Sequence, residues 1–261
     1  MEIAYAVIFA LFGAVIGSFL NVLCDRLPQE QSVVAPPSRC PGCGRRLTPL
    51  DMIPIISWLA LRGRCRTCGE TIPQRVFWVE LVTALAFAGL YLYFGFTPDL
   101  LLSLAYFSLL LVIFVIDFEQ QLVLPTIVIG GILIGFVASF FTSELTMVSS
   151  LGSALIGGLV GAAVYFMVRL GANAYYKQEA MGIGDIWLGA LAGVITGWPN
   201  IIAAVLLSWI LGGIVAVILV AAKIKRGREA IAFGPFLALT TFITFLWGNQ
   251  IIDWYLGIFT R

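Results

Sequence analysis

Long runs of apolar residues, separated by short polar segments, dominate the pattern along this chain. A run of about 20 apolar residues is long enough to cross a hydrocarbon core of roughly 30 Å as a helix. Eight such runs occur, so the pattern predicts eight transmembrane helices. Their predicted bounds are residues 3–24, 76–96, 100–118, 122–141, 149–170, 182–198, 201–222 and 231–258.

One polar segment is long enough to form a soluble domain. Residues 25–75 are rich in Pro, Cys and Arg and interrupt the apolar pattern. We therefore expect a first transmembrane helix in residues 1–24, a small soluble domain in residues 25–75 and a seven-helix membrane domain in residues 76–261. The predicted fold class is an all-α polytopic membrane protein with this small domain between its first two transmembrane helices.

The composition and the placement of charge agree with this arrangement. The chain is 61% hydrophobic and 11% charged, whereas about a quarter of the residues in a soluble domain are charged. Of the 15 Lys and Arg residues, only Arg261 falls outside the loops and helix ends of one side. Positive charge concentrates on the cytoplasmic side of membrane proteins. The pattern thus predicts an outward N-terminus and a cytoplasmic 25–75 domain.

Four cysteines in the soluble segment form two C-x-x-C pairs. Cys40 and Cys43 are separated from Cys65 and Cys68 by 21 residues. Two such knuckles supply the four thiolates of a tetrahedral zinc site, and a domain of this size needs stabilisation beyond its small core. A pair of disulfides or four free thiols is the alternative, although disulfides rarely persist in the reducing cytoplasm. We predict a structural Zn²⁺ site in a zinc-ribbon-like fold.

The chain contains no histidine, and this excludes several hydrolytic mechanisms. Ser-His pairs, Cys-His pairs and H-E-x-x-H zinc sites all require one. Acidic residues in or beside an apolar span are costly and therefore functional candidates. Asp117 and Asp185 stand at the predicted cytoplasmic ends of the third and sixth transmembrane helices.

Two neighbouring carboxyl groups can share one proton, as an aspartyl protease requires. Gly182 and Gly184 precede Asp185 and leave room for a substrate backbone. On spacing alone, both acids can equally mark helix ends. A transporter or assembly subunit that binds protons or cations through its membrane carboxylates is the alternative from another functional class.

A set of ordered motifs covers nearly the whole chain and resembles the type IV prepilin peptidases among the G-x-G-D aspartyl proteases. Besides the two cysteine pairs, the motifs are Gly17-Ser18-Phe19-Leu20-Asn21-Val22, Arg26-Leu27-Pro28, Asp51-Met52-Ile53-Pro54, Ser57-Trp58-Leu59, Leu61-Arg62-Gly63, Ile116-Asp117, Leu124-Pro125, Met181-Gly182-Ile183-Gly184-Asp185 and Phe233-Gly234-Pro235-Phe236-Leu237-Ala238-Leu239.

The resemblance implies an enzyme of the prokaryotic inner membrane with type IV prepilins or pseudopilins as substrates and no nucleic-acid partner. Such an enzyme removes a basic leader at the cytoplasmic face and methylates the new N-terminus with S-adenosylmethionine. The resemblance makes Asp117 and Asp185 catalytic and the four knuckle cysteines zinc ligands. We expect Gly182, Gly184 and Glu119 to contact the substrate, and no residue of this chain is assigned to the methyl donor.

Three positions depart from the family pattern. Glu119 stands where many members have a second Asp, Thr126 where Asp or Asn is common, and Trp187 where lysine is usual. An indole cannot favour an ionised carboxylate as a lysine charge does. A member with weakened proteolysis and retained methyl transfer is therefore a further alternative.

Overall fold

The computed structural model describes residues 1–141, 145, 147, 149–176, 182–223 and 232–259, and in these residues the fold is helical. Lys177, Lys225, Arg226, Arg228 and Arg261, which contributed to the predicted sidedness, lie outside the described residues. The helices are α1 (Glu2–Arg26), α2 (Ile56–Ala60), α3 (Gln74–Phe94), α4 (Pro98–Gln120), α5 (Pro125–Ala138), α6 (Leu151–Tyr176), α7 (Gly184–Thr196), α8 (Asn200–Ala221) and α9 (Gly234–Phe259), with short 3₁₀ turns at Leu27–Gln29 and Pro49–Met52.

Each predicted transmembrane run contains a helix, in the predicted order. Among the described residues six helices, namely α1, α3, α4, α6, α8 and α9, are long and apolar enough to cross a membrane, while α5 and α7 are shorter. The predicted fold class is thus confirmed, and the chain is a multi-pass membrane protein.

The two short helices begin and end inside their predicted spans for local reasons. Pro125 occupies the first turn of α5, where its missing N–H costs nothing. Gly197 ends α7 with a φ of 70°, which favours glycine. With 13 residues, α7 rises only about 20 Å. It is therefore shorter than the hydrocarbon core of roughly 30 Å.

The chain divides into two compact units, Met1–Ser108 and Leu109–Arg261. In the first unit α1 packs along α3. A Cβ added at Gly17 would lie 2.8 Å from the Cα of Glu80 and 3.1 Å from the Cβ of Thr83. Glycine therefore lets these two backbones approach closely.

In the second unit α7 packs against α5, α6, α8 and α9. Gly189 and Gly193 on α7 face Gly161 and Gly157 on α6, where a Cβ on any of them would meet the opposite backbone. Residues Leu188–Thr196 are consequently buried almost without interruption. These contacts on several sides fix the first turn of α7, which carries Asp185.

Candidate active site and four-cysteine cluster

Asp117 lies in the last turn of α4, near the polar end of an apolar helix. Its side chain is buried, with 5% of the residue exposed, and its Oδ2 accepts no hydrogen bond from the described residues. Buried carboxyl oxygens usually have hydrogen-bond partners, so this oxygen is a candidate for a functional contact. The nearest neighbour that explains its position is Gly234 at the start of α9.

Gly234 has no room for a side chain. An added Cβ would lie 2.5 Å from Asp117 Oδ2, 2.9 Å from Asp117 Cγ and 3.2 Å from a methyl group of Leu188. The backbone N–H of Gly234 faces the carboxyl group, although no hydrogen bond of standard geometry reaches Oδ2. Only glycine therefore permits this approach of helix end and carboxyl group.

The sequence around Gly234 explains why its N–H is available. The carbonyl of Phe233 accepts the first helical hydrogen bonds, from Phe236 and Leu237. Pro235 has no N–H, so Gly234 carries the first free donor of α9. Free N–H groups and the helix dipole at an N-terminus interact favourably with a negative charge.

Asp185 lies in the first turn of α7 and is partly buried. Its charge interacts with that of Asp117, from which it is separated by 68 positions in sequence. Leu188 lies one turn after Asp185 on α7. A Cβ built on Gly234 would contact both a methyl group of Leu188 and the carboxyl group of Asp117. The structure thus brings together the two acids that the sequence singled out, each beside a helix N-terminus.

The two glycines before Asp185 have different surroundings. A Cβ at Gly184 would lie 2.6 Å from the Cβ of Val123, so this glycine allows the chain preceding α5 to pack against α7. Among the described residues beyond its chain neighbours, the nearest atom to a Cβ at Gly182 would be the backbone N of Gly184 at 3.8 Å, and Gly182 is exposed. Gly182 is therefore less crowded by the described residues than Gly184.

The three positions that depart from the family pattern are all exposed. Glu119 lies two residues after Asp117, and Trp187, which is 43% exposed, lies two residues after Asp185. Residues two apart on a helix do not face each other. Thr126 is in the first turn of α5.

The sequence analysis did not identify Tyr165, a buried tyrosine that lies near the carboxyl pair. Its hydroxyl lies 3.3 Å from Ser208 Oγ, its ring is 5.7 Å from that of Phe233, and its electrostatic environment includes Asp185. Nothing in the apolar run of α6 marks this tyrosine. Gly234 was more accessible to sequence reasoning, since it belongs to the quoted Phe-Gly-Pro-Phe motif.

The four knuckle cysteines converge in the first unit. Their sulfur atoms all lie within 4.8 Å of one another, and Cys40 Sγ is 3.7 Å from Cys68 Sγ. A tetrahedral zinc site with Zn–S bonds of about 2.3 Å requires sulfur atoms about 3.8 Å apart. The donor set and its spacing therefore fit Zn²⁺, and none of the four is in a disulfide.

Backbone groups prepare the cluster for metal binding. Gly44 and Gly69 end the two knuckles with φ of 68° and 73°, where glycine is favoured, and donate to the carbonyls of Cys40 and Cys65. The backbone N–H groups of Cys68 and Thr67 lower the pKa of Cys65 to about 6. The thiolate form of Cys65, which can bind metal, is thus stabilised at neutral pH, whereas desolvation and the neighbouring thiols raise the pKa of Cys68 while no metal is bound.

Asp51 connects the two knuckles, a role that the sequence did not suggest. Its carboxylate accepts hydrogen bonds from Thr48, from Arg45 at 2.7 Å and from Arg66 at 3.0 Å. The hydroxyl and N–H of Thr48, followed by the two guanidinium groups, hold its pKa well below the usual range. Asp51 is therefore ionised throughout the neutral pH range.

Comparison with known proteins gives one consistent result. The profile of the bacterial peptidase A24 N-terminal domain matches residues 11–94, and that of the type IV leader peptidase family matches residues 104–217. No solved structure matches the chain significantly.

Three relatives are named prepilin leader peptidase/N-methyltransferase. The protein of Pseudomonas aeruginosa is 32% identical over 97% of this chain and 94% of its own length. That of Bacillus subtilis is 34% identical over 95% and 97%, respectively. That of Myxococcus xanthus is 35% identical over 85% of this chain, and the match spans 65% of its length.

Proposed function

The chain belongs to the type IV leader peptidase family, and we propose that it is a membrane-embedded aspartyl endopeptidase that removes the leader of type IV prepilins or pseudopilins and then methylates the new N-terminus. The names of its relatives support both activities. The observation that supports the peptidase assignment is the electrostatic interaction of Asp185 with Asp117, whose carboxyl group packs against Gly234. A transporter role is not favoured, since the relatives are named as enzymes.

In the proposed reaction the two carboxyl groups share one proton. The ionised carboxylate removes a proton from a water molecule as that water attacks the scissile carbonyl carbon. The protonated carboxyl group donates to the carbonyl oxygen and stabilises the tetrahedral intermediate. The C–N bond then breaks as the intermediate collapses, and the leaving amine takes the proton that the first carboxylate removed from water. The helix N-termini beside both acids stabilise the negative charge that the pair retains.

Substrate contacts are proposed at the same end of α7. Gly182 is exposed, and beyond its chain neighbours no described residue except Gly184 lies within 3.8 Å of the position of its Cβ, which fits the close passage of an extended backbone. Gly184 contributes indirectly, by letting Val123 pack against the start of α7. Glu119 is exposed and is proposed to contact the substrate outside the carboxyl pair.

We propose that Cys40, Cys43, Cys65 and Cys68 bind one structural Zn²⁺. Four thiolates leave no open coordination position, so the metal would stabilise the 25–75 domain without taking part in the reaction. The methyl donor is proposed to be S-adenosylmethionine, which would supply an electrophilic methyl group. The methyl-donor site is not assigned to particular residues.

The proposed location is the prokaryotic inner membrane, with the N-terminus outside and both the carboxyl pair and the 25–75 domain on the cytoplasmic side. The distribution of Lys and Arg supports this orientation. We further propose the three-part organisation given above, in which residues 76–261 form the peptidase domain.

Substitution of each acid in the purified full-length protein tests the peptidase assignment. Asp117→Asn and Asp185→Asn keep side-chain size but cannot exchange the proton, so each should reduce leader removal from a prepilin by roughly 10²- to 10⁴-fold. Asp253→Asn is the matched control, because Asp253 is an exposed acid on α9. Normal cleavage by either folded active-site variant would remove that acid from the mechanism.

A further inference from the structure

A short segment between the two cysteine knuckles exposes a cluster of large apolar side chains. The segment comprises the 3₁₀ turn Pro49–Met52 and helix α2. The cluster, which we name the 50–59 patch, consists of Leu50, Met52, Ile53, Ile56 and Leu59, with exposures between 39% and 64%. Contiguous exposed apolar side chains mark sites of contact with proteins or membranes.

Two contacts attach this segment to the start of transmembrane helix α3. The backbone N–H of Ile55 donates to Glu80 Oε2 at 2.7 Å, and Glu80 is only 4% exposed. The ring of Trp58 lies 5.1 Å from that of Phe77. Ile55 adopts a φ of 64°, which is unusual for a β-branched residue, so the attachment imposes a specific conformation.

The length of α3 sets the depth of this attachment. Its 21 residues span about 31 Å, close to the hydrocarbon thickness of roughly 30 Å. Phe77 and Glu80 therefore lie about 5 and 9 Å beyond the start of the helix. Amphipathic helices that lie in the membrane interface bury their apolar face by about 5–10 Å. The 50–59 patch is thus held at interfacial depth.

Charged and aromatic neighbours fit the same environment. Arg62 and Arg64 follow α2 and are exposed, and neither forms an ion pair with any described residue. Trp78, in the second turn of α3, is 55% exposed. Arginine beside anionic headgroups and tryptophan at the headgroup level are typical of membrane interfaces.

We propose that the 50–59 patch inserts into the headgroup–acyl boundary of the lipid leaflet at which α3 begins, with Arg62 and Arg64 facing anionic headgroups. The four-cysteine domain then lies against the membrane surface, fixed by protein contacts to α3 and by lipid contacts through the patch. Exposure of these apolar side chains to water is unfavourable in free energy, and contact with lipid would remove them from water.

Photolabelling of the full-length protein tests this proposal. The protein is reconstituted in vesicles of phosphatidylethanolamine and phosphatidylglycerol that contain a phospholipid with a diazirine high in its acyl chain. After illumination, lipid adducts are mapped by peptide mass spectrometry. We expect adducts on residues 50–59 at a yield comparable to that on exposed residues near the start of α3, such as Trp78. Residues 66–70, which are exposed and polar, provide the negative control.

A matched pair of variants distinguishes insertion of the 50–59 patch into lipid from non-specific labelling by the diazirine. Ile56→Asp places a charge in the patch, whereas Val34→Asp makes the same change at a residue of the same domain that is 88% exposed. We expect Ile56→Asp to lose most adducts on residues 50–59, and Val34→Asp to keep them. Both variants should retain the metal content of the unmodified protein, which shows that the domain is folded.

Two results would overturn the proposal. The first is labelling of residues 50–59 at no more than the yield of residues 66–70. The second is labelling of the Ile56→Asp variant equal to that of the unmodified protein. If lipid does not label the patch but an added prepilin protects it from hydrogen exchange, the patch binds substrate and the lipid assignment is wrong.

Discussion

Replacement of Gly234 by alanine is the most direct test of the proposed carboxyl site. The substitution adds one methyl group at the N-terminus of α9, where its carbon would lie 2.5 Å from Asp117 Oδ2 and 2.9 Å from Asp117 Cγ. No positive φ is involved at this position. The helix backbone therefore accepts alanine, and the effect comes from contact with the carboxyl group.

The size of the effect follows from these distances. Non-bonded heavy atoms are at optimal separation near 3.5 Å, so the carboxyl group or the helix end must move by about 1 Å. A displacement of about 1 Å in a catalytic group costs roughly 10²-fold in rate, equivalent to about 2.7 kcal/mol in the activation free energy. Alanine is a better helix former than glycine by up to about 1 kcal/mol, so the fold should not be weakened to the same degree.

The assay compares kcat/KM for leader removal by purified proteins in lipid. Gly257→Ala is the matched control on the same helix, because an added Cβ there meets no atom of the described residues within 4 Å. We expect a loss of roughly 10²-fold in Gly234→Ala and no loss in the control. Full activity in Gly234→Ala would show that the approach of Asp117 to α9 is not the working geometry, and equal losses in both variants would show that the effect is not local.

Three further predictions concern metal binding, pH and the glycines before the second acid. Metal analysis should find about one zinc per chain and less zinc in the Cys40→Ser variant. The Cys24→Ala variant should bind the same amount as the unmodified protein, because Cys24 is outside the cluster. Freshly purified protein without zinc would contradict the assignment. Asp51→Asn should make the soluble domain more susceptible to proteolysis. The difference should be the same at pH 5, 6.5 and 8, because the pKa of Asp51 is held well below its usual range and its stabilising effect is lost only as the pH falls below about 4; a difference that vanishes by pH 5 would refute this. Gly184→Ala should lower both the melting temperature and kcat, because the added Cβ would lie 2.6 Å from the Cβ of Val123. Gly182→Ala should raise KM and leave the melting temperature unchanged. If Gly182→Ala lowers the melting temperature and Gly184→Ala does not, the packing and substrate-contact roles assigned to the two glycines are wrong.

The sequence by itself determined the number and order of the apolar helices. Hydrophobic runs must be buried in lipid or protein, and only a helix satisfies its own backbone hydrogen bonds in lipid. Local residue chemistry also identified Asp117 and Asp185, since acids are costly in apolar spans, and the four cysteines, since paired knuckles recur at metal sites. These features depend on residue type and spacing, which the sequence displays directly.

The tertiary structure decided which neighbours these residues have. The sequence did not distinguish Gly182 from Gly184, and only the packing of Val123 shows that one glycine faces open space and the other a side chain. The approach of Gly234 to Asp117 joins residues far apart in sequence, and the ion pairs of Asp51 with Arg45 and Arg66 join the two knuckles. Such contacts depend on how helices and loops pack against each other, and hydrophobic periodicity carries no information about which distant residues meet.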